Sequence, residues 1–442
     1  MPDTVLTGWG RTAPSRADVV PVSSVDDVAA ALTSAGPRGV LARGLGRSYG
    51  DAAQNAGGTV LDLSAMDGVE VRSDGTVRAG AGAVLAHVIE ALEPHGLFVP
   101  VSPGTSRVTL GGAVAADVHG KNHHRDGSFG DHVVELEVVL PDGSVRRIGP
   151  GSAGADLAQF RATVGGMGLT GVVTEVVLRA MPVPSQAVLV DTRRLGSLDA
   201  VMERMSSTDD DYRYSVAWID ATAPGAALGR GVVTQGDHAP AGASGGVAAP
   251  PRISLPVAPP VGVVNRWTVR AFNEAWFRTA PASRDAELQT VRQFFHPLDG
   301  VGAWNRAYGP RGLVQHQCAV PDAEAAVIGH LLEHFRGNGA ASFLSVLKRF
   351  GPGNDSPLSF PRAGWTLAVD LPGAAPGLAR ILDRADELVL EAGGRTYLAK
   401  DARVSPEALR AMYPRLDEWR EVRERVDPRR VLVSDLSRRL SL

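Results

Sequence analysis

Lysine is rare in this chain, and each lysine lies in a segment whose residues could form a reactive site. The 442 residues include 45 basic side chains, of which only Lys121, Lys348 and Lys400 are lysine. An ammonium group is compact and can lose its proton when it is desolvated, whereas a guanidinium stays planar and charged. Codon bias towards arginine accounts for ordinary basic positions, so lysine should persist where arginine cannot serve. The three lysines are therefore candidates for catalysis or binding.

The composition limits the classes of function. A length of 442 residues predicts two domains, and 44% hydrophobic with 21% charged residues is typical of a globular protein. A net charge of -3 without any basic block argues against nucleic acid as the main partner. The single cysteine, Cys318, excludes an internal disulfide framework and a cysteine-based metal cluster, and is expected to be a buried apolar residue.

The first eleven residues contain no apolar core behind a basic start, and no apolar run approaches the length of a membrane span. We therefore expect a cytoplasmic protein, or one bound peripherally at the inner membrane, without a signal peptide or transmembrane segment.

Local patterns predict an α+β first domain over residues 1–183. Asp-Gly turns join two pairs of short strands, in residues 69–78 and 136–146, and residues 83–92 carry an apolar stripe at helical spacing. Longer elements predict a second domain over residues 184–394, and the last 40 residues are predicted to be helical. Residues 236–263 are rich in Pro, Ala and Gly and predict a long loop, either a surface insertion or a mobile cover over a cleft.

Three glycine-bearing segments in the first domain could bind a dinucleotide. Arg43-Gly-Leu-Gly-Arg-Ser-Tyr-Gly-Asp51 follows a short strand and can turn its backbone N–H groups inward to hold a pyrophosphate. Its third glycine is one place late for the Rossmann fingerprint. Residues 103–120 and 165–171 offer two further stretches of bare backbone. Each alone is typical of a structural turn, but together they favour a large dinucleotide.

Five longer motifs in this order resemble those of the vanillyl-alcohol-oxidase-type flavoproteins, and more narrowly those of the decaprenylphosphoryl-ribose 2′-oxidase family. They are Leu6-Thr-Gly-Trp-Gly-Arg-Thr-Ala-Pro14, the segment at 43–51, His119-Gly-Lys-Asn-His-His124, Trp304-Asn-Arg-Ala-Tyr-Gly-Pro310 and Ala411-Met-Tyr-Pro-Arg-Leu-Asp-Glu-Trp419. The resemblance implies an FAD-binding α+β domain of PCMH type, a substrate domain with an antiparallel sheet, and a segment 395–442 that returns to the first domain.

The resemblance also implies a function. The expected reaction is FAD-dependent oxidation of the ribose 2′-hydroxyl of decaprenylphosphoryl-β-D-ribofuranose to the ketone, the first half of an epimerisation to the arabinose donor of cell-wall arabinan. A separate NADPH-dependent short-chain reductase would be the pathway partner. FAD is expected to be noncovalent, because Arg47 stands where related sugar oxidases carry a flavin-linking histidine. The alternatives are a sugar-lactone or alditol oxidase that uses oxygen, and a flavin-binding subunit without turnover.

The residues of the site follow from the same resemblance. The expected catalytic residues are Lys400, Tyr49 and His119. The expected FAD contacts are Ala42, Arg43, Gly44, Leu45, Gly46, Arg47, Ser48, Tyr49, Gly50, Asp51, Ala52, Gly104, Thr109, Leu110, Gly111, Gly112, Ala116, Asp117, Val118, His119, Val173 and Tyr397. The expected substrate contacts are Lys121, Trp218, Tyr308, Gln315, Gln317, Leu344, Val346, Lys348, Phe350 and Lys400.

Elementary chemistry fits these roles. Oxidation of an alcohol requires a proton acceptor, and a desolvated Lys400 could orient the hydroxyl and offset negative charge on the reduced flavin, with Tyr49 and a water molecule as alternative bases. Gln315 and Gln317 alternate on a strand, so both amides point to one face. No metal is expected, because Gly and Asn between His119 and His123 disfavour the helix that would pair them.

Overall fold

The described first part of the chain contains a four-stranded sheet, a five-stranded sheet, a two-stranded sheet of β7 and β11, and five α-helices. The computed structural model describes residues 3–243, 253–254, 257–260 and 262–442. A four-stranded sheet has the order β1-β2-β4-β3, and a five-stranded sheet has the order β5-β6-β10-β8-β9. The strands are β1 Asp3–Leu6, β2 Ser15–Pro21, β3 Val40–Arg43, β4 Thr59–Asp62, β5 Val69–Val71, β6 Thr76–Gly80, β7 Leu97–Phe98, β8 Val133–Val139, β9 Val145–Ile148, β10 Val172–Arg179 and β11 Met181–Pro182. The helices are α1 Val25–Thr33, α2 Leu85–Leu92, α3 Leu110–Ala115, α4 His123–Asp126 and α5 Gly154–Thr163.

The short-range predictions for this region are confirmed. β5 pairs with β6 and β8 pairs with β9, both antiparallel across the Asp-Gly turns. α2 buries Leu85, Val88, Ile89 and Leu92, which are its apolar stripe. These side chains join an apolar core between the five-stranded sheet and the helices α2 and α3.

An eight-stranded antiparallel sheet dominates the second part, with the order β16-β12-β14-β13-β19-β20-β18-β21. The strands are β12 Ala187–Leu195, β13 Tyr214–Ile219, β14 Gly231–His238, β15 Ile253–Ser254, β16 Ser283–Thr290, β17 Val301–Gly302, β18 Leu313–Val320, β19 Ser345–Phe350, β20 Gly364–Pro372 and β21 Arg395–Thr396. The helices are α6 Leu198–Ser207, α7 Arg266–Thr279, α8 Val291–Phe295, α9 Val327–Gly337 and α10 Leu378–Glu391. The α+β class and the antiparallel second sheet are therefore as predicted.

One face of this sheet packs on α6, α9 and α10, and its apolar residues form the second core. Cys318 lies there, fully buried, and burial raises the pKa of its thiol to about 12. The opposite face carries polar side chains, of which Gln317 and Lys348 contact His119 of the first part of the chain. The sheet thus separates a structural core from a candidate site.

The prediction of a loop over residues 236–263 was wrong for its first three residues. Residues 236–238 belong to β14, which pairs with both β12 and β13. Ile253–Ser254 pairs in parallel with Val301–Gly302. Residues 244–252, 255–256 and 261 lie outside the described part of the chain, and with them most of the predicted cover.

The C-terminal helices are α11 Pro406–Met412, α12 Leu416–Val426 and α13 Asp435–Leu440. They contact the first part of the chain directly. Leu432 forms a parallel bridge with Val40, and Arg439 pairs with Asp51 at 2.9 Å. Trp419 Nε1 donates to Ala162 O of α5 at 3.0 Å. In the described part of the chain, no helix is long and apolar enough to cross a membrane.

Candidate active site

The register of four neighbouring strands creates a polar face. Trp218 on β13 lies opposite Val346 on β19, Val346 lies opposite Ala368 on β20, and Ala368 lies opposite Gln317 on β18. Side chains two residues apart on a strand share a face. The following residues therefore point the same way: Trp218, Gln315, Gln317, Val346, Lys348, Thr366, Ala368 and Asp370.

His119 is held against this face by two of its members. Its Nε2 lies 2.9 Å from Gln317 Nε2, and its Nδ1 lies 3.1 Å from Lys348 Nζ. Burial, and then the charge of Lys348, hold the pKa of His119 well below its usual range, so the ring is neutral. A neutral imidazole accepts at one nitrogen and donates from the other. One of the two partners must therefore accept a hydrogen bond from the ring N–H. The acceptor is either the amide oxygen of Gln317, with its amide rotated, or the neutral amine of Lys348.

Lys400 reaches the same face from the loop after β21. Its Nζ lies 3.8 Å from the centre of the Tyr49 ring. The loop is tied to the first glycine segment, because Tyr49 N donates to Ala399 O at 2.9 Å and a side chain at Gly50 would overlap Asp401 O. Burial lowers the pKa of Lys400 to about 8, and Asp370 partly offsets that effect. Lys400 is thus poised to gain or lose a proton near neutral pH.

Asp370 is the residue that the sequence-based prediction missed. It is fully buried, and its Oδ1 accepts from Gln315 Nε2. Its Oδ2 is a buried atom without a hydrogen-bond partner in the described chain. Burial raises the pKa of Asp370 to about 7, while Gln315 and Lys400 act in the opposite direction. The one available signal was a carboxylate in a mostly apolar strand, Trp365-Thr-Leu-Ala-Val-Asp-Leu371.

Two tyrosines complete the apolar side of the site. Tyr49 and Tyr308 belong to one small cluster with Leu313, and both are buried. Burial raises the pKa of each phenol well above 10, and Asp370 adds to the effect. Both phenols are therefore protonated at neutral pH. Gln315 Nε2 donates to the Tyr49 hydroxyl at 3.5 Å, whereas the Tyr308 hydroxyl has no partner among the described residues.

The remaining predicted substrate residues differ in how close they lie to this centre. Phe350 packs on His119 with ring centres 4.7 Å apart, and Leu344 O accepts from Asp370 N at 3.2 Å. Lys121 lies at the edge, because its Nζ donates to Phe294 O and sits over the Phe294 ring. Burial, followed by the charge of Lys348, lowers the pKa of Lys121 to about 7.

We call the predicted FAD-contacting residues the cofactor bed. Tyr49 and Tyr397 join it to this centre through Lys400 and His119. No protein acceptor binds the backbone N–H groups of residues 44–48 within the described part of the chain, and an added Cβ on Gly104 would meet open space. Thr109 caps α3, and Tyr397 donates from its hydroxyl to Ala116 O at 2.8 Å. A row of free N–H groups beside open backbone fits a pyrophosphate-bearing ligand.

Some side chains in the bed are engaged within the protein. Asp117 accepts from Gly130 N, Ser128, Asn354 and Ser359, and Asp51 is paired with Arg439. The carboxylates of these two residues are therefore committed to contacts within the protein. The Arg47 guanidinium stacks 4.1 Å from the Trp9 ring centre.

Comparison with known proteins gives two family matches and a relative that covers nearly the whole chain. Residues 17–149 match the FAD binding domain family, and residues 374–440 match the D-arabinono-1,4-lactone oxidase family. The chain is 44% identical to the decaprenylphosphoryl-beta-D-ribose oxidase of Mycolicibacterium smegmatis, over 99% of this chain and 97% of that protein.

The chain belongs to the decaprenylphosphoryl-β-D-ribose oxidase family. An uncharacterised protein of Streptomyces coelicolor is 41% identical over 81% of this chain and its own whole length. An alditol oxidase of a Streptomyces species is 29% identical over 40% of this chain and 42% of its own. As a member of the decaprenylphosphoryl-β-D-ribose oxidase family, the protein is an FAD-dependent oxidoreductase with the predicted vanillyl-alcohol-oxidase-type fold.

Proposed function

We propose that the protein oxidises the 2′-hydroxyl of decaprenylphosphoryl-β-D-ribofuranose to the 2′-ketone. The observation that carries the proposal is that Lys348 and Asp370 share one buried sheet face, which Lys400 reaches from the loop after β21, with Lys121 at the edge of the same site. A sugar phosphate needs cations for its anion and hydrogen-bonding groups for its hydroxyls. The family relative whose name states this activity covers almost the same length.

Noncovalently bound FAD would supply the hydride acceptor for this oxidation. The N–H groups of residues 44–48 would hold its pyrophosphate, with Gly104, residues 109–112 and Tyr397 nearby. The absence of histidine from residues 43–51 supports a noncovalent cofactor.

Lys400 is the group best placed to accept the hydroxyl proton. A general base works best when its pKa lies near the operating pH, and burial brings the pKa of Lys400 to about 8. The charge of Asp370 keeps that pKa from falling further and stabilises the ammonium once it forms. Tyr49 lies beneath Nζ and positions it, but its raised pKa makes the phenol a hydrogen-bond donor rather than a base at neutral pH.

The remaining polar groups would bind the rest of the substrate. Gln315 and Gln317 present amides to the ribose hydroxyls, and neutral His119 fixes Gln317 and Lys348 in place. Lys348, whose pKa burial and Lys400 lower to about 7, would become fully charged beside a phosphate, as would Lys121.

Two further proposals concern the partner enzyme and the membrane. Completing an epimerisation requires a separate reductase that delivers hydride to the opposite face of the ketone, for which an NADPH-dependent short-chain reductase is suited. A prenyl-bearing substrate also favours peripheral contact of the enzyme with the inner membrane.

Anaerobic mixing of the FAD-loaded protein with substrate tests the reaction directly. Farnesylphosphoryl-β-D-ribofuranose should bleach the flavin absorbance, and its 2′-deoxy analogue should not. Polyols and sugar lactones form the comparison arm, because residues 374–440 match a lactone oxidase family. Reduction by polyols or lactones but not by the phosphoryl ribose would refute the proposal and favour a lactone or alditol oxidase.

A further inference from the structure

A row of aromatic rings leads from the surface into the site. On α7, Trp276 is 50% exposed and Phe272 is 46% exposed, and their rings stack with centres 6.2 Å apart. Phe272 meets Phe343 edge-on at 5.7 Å, and Phe343 lies 5.7 Å from Tyr308. We call Trp276, Phe272, Phe343 and Tyr308 the aromatic track. Its inner end shares an apolar cluster with Tyr49, beneath Lys400.

The fold does not need the exposed rings to hold α7. The helix is anchored through its other residues: Val269 is buried, and Asn273 donates from Nδ2 to Asp220 Oδ1 at 2.9 Å and to Ser342 O at 3.1 Å. Glu274 adds an ion pair with Arg230. Exposing large aromatic surface costs about 25 cal/mol per Å². A group of such rings beside a cleft is typical of a binding surface.

The polarity of the track changes along its length. Trp218 Nε1 donates to Phe343 O at 2.9 Å, so the polar group of that indole is satisfied, and its ring meets Trp276 edge-to-face with centres 6.5 Å apart. At the inner end, the Tyr308 hydroxyl is buried without a partner in the described chain, close to Asp370. The track is therefore apolar outside and offers a polar group inside, which matches an amphiphile whose head group enters the site first.

We propose that the aromatic track binds the first isoprene units of the substrate's prenyl chain. The inference rests on the proposed function and adds the path by which the lipid leaves the site. The rings provide flat apolar surfaces for a branched hydrocarbon, and their contacts join this surface to the residues around Lys400 without a break. The occupant is thus the tail of the molecule whose ribose lies in the site.

Substrates with and without a tail test the inference. The measurement is the ratio of kcat/KM for farnesylphosphoryl-β-D-ribofuranose to that for methylphosphoryl-β-D-ribofuranose, taken below the micelle concentration. The double variant Phe272→Ser and Trp276→Ser should lower this ratio about tenfold, because the tail loses two apolar surfaces. Competition by farnesyl phosphate against the methyl analogue gives an independent readout, and its inhibition constant should rise by a similar factor.

Trp267 provides the matched control. It is 65% exposed on the same helix and stands nine residues from Trp276, about two and a half turns, so it points to the other side. Trp267→Ser should leave the ratio unchanged. An unchanged ratio in the double variant, or an equal loss in Trp267→Ser, would overturn the inference, the latter by indicating contact with a bilayer or another copy of the chain. A wild-type protein that oxidises neither phosphoryl ribose would refute the proposed function itself.

Discussion

Replacing Asp370 by asparagine should lower the pKa of Lys400 and shift the pH profile of oxidation. Asparagine keeps the size of the side chain and an acceptor for Gln315, but it removes the charge that raises the pKa of Lys400. Loss of a neighbouring opposite charge lowers the pKa of an amine by about 1–3 units. The pKa of Lys400 is about 8 in the wild type, and a decrease of about 1.5 from within that range brings it to about 6.5 in the variant.

The magnitude of the kinetic effect follows from this shift. In the wild type, about one tenth of Lys400 is neutral at pH 7, whereas in the variant about three quarters would be neutral. A weaker base transfers the proton more slowly, by about fivefold for a Brønsted coefficient of roughly one half. The rate of flavin reduction should therefore reach its plateau about 1.5 pH units earlier, and the plateau should be about fivefold lower.

Anaerobic stopped-flow measurements of flavin bleaching from about pH 6 to about pH 10 would check this result. Asp370→Glu restores a carboxylate and should move the acid limb back towards that of the wild type. Lys400→Arg keeps the charge but cannot lose its proton, so bleaching should be slow at every pH. If the acid limb of the pH profile does not move in Asp370→Asn, Asp370 does not raise the pKa of Lys400 and the reasoning is refuted. A rate that falls as the pH rises through this range would instead show that Lys400 acts as a cation and not as a base.

Two further predictions concern the cofactor bed. Gly104→Ala should leave the melting temperature of the apoprotein unchanged but weaken FAD binding at least about tenfold, because its Cβ would enter the open space that we assign to FAD. Gly50→Ala should instead destabilise the apoprotein, because its Cβ would overlap Asp401 O. Thermal unfolding and FAD titration measure the two effects, and normal FAD affinity in Gly104→Ala would contradict the placement of FAD beside Gly104. Arg439→Ala should cost about 2–4 kcal/mol in urea unfolding, since it leaves the carboxylates of Asp51 and Asp401 unpaired. The pair of Arg420 with the exposed carboxylate of Asp417 is the control, for which Arg420→Ala should cost under about 1 kcal/mol. Equal losses in the two variants would argue against a special role for Arg439.

Features set by short-range chemistry could be predicted from the sequence. The Asp-Gly hairpins depend on a few adjacent residues, and α2 depends on one apolar stripe. Gln315 and Gln317 share a face because a strand alternates, whatever its neighbours are. Residues 236–238 were misjudged because the Gly-rich composition that follows hides the end of β14, whose pairing with β12 and β13 is long-range.

The role of Asp370 could not be predicted in this way. The role of Asp370 depends on the antiparallel pairing of β20 with β18, whose register places Asp370 opposite Gln315. It also depends on a loop some 30 residues later in sequence that brings Lys400 alongside. Neither relation leaves a local pattern. Lys121 illustrates the same limit, because its contact with Phe294 O joins segments far apart in sequence.

The charge balance of the site gives a physical reason for lysine at these three positions. Burial lowers the pKa of all three lysines. The charge of Lys348 adds to that effect at Lys121 and the charge of Lys400 adds to it at Lys348, whereas the carboxylate of Asp370 opposes it at Lys400. Three guanidinium groups in the same place would stay charged and would need counter-ions that the described residues do not provide. Lysines can give up protons while the site is empty and take them up again when a phosphate brings negative charge. Burying three cations together is therefore tolerable for lysine and not for arginine, which is why a chain that otherwise uses arginine keeps lysine here.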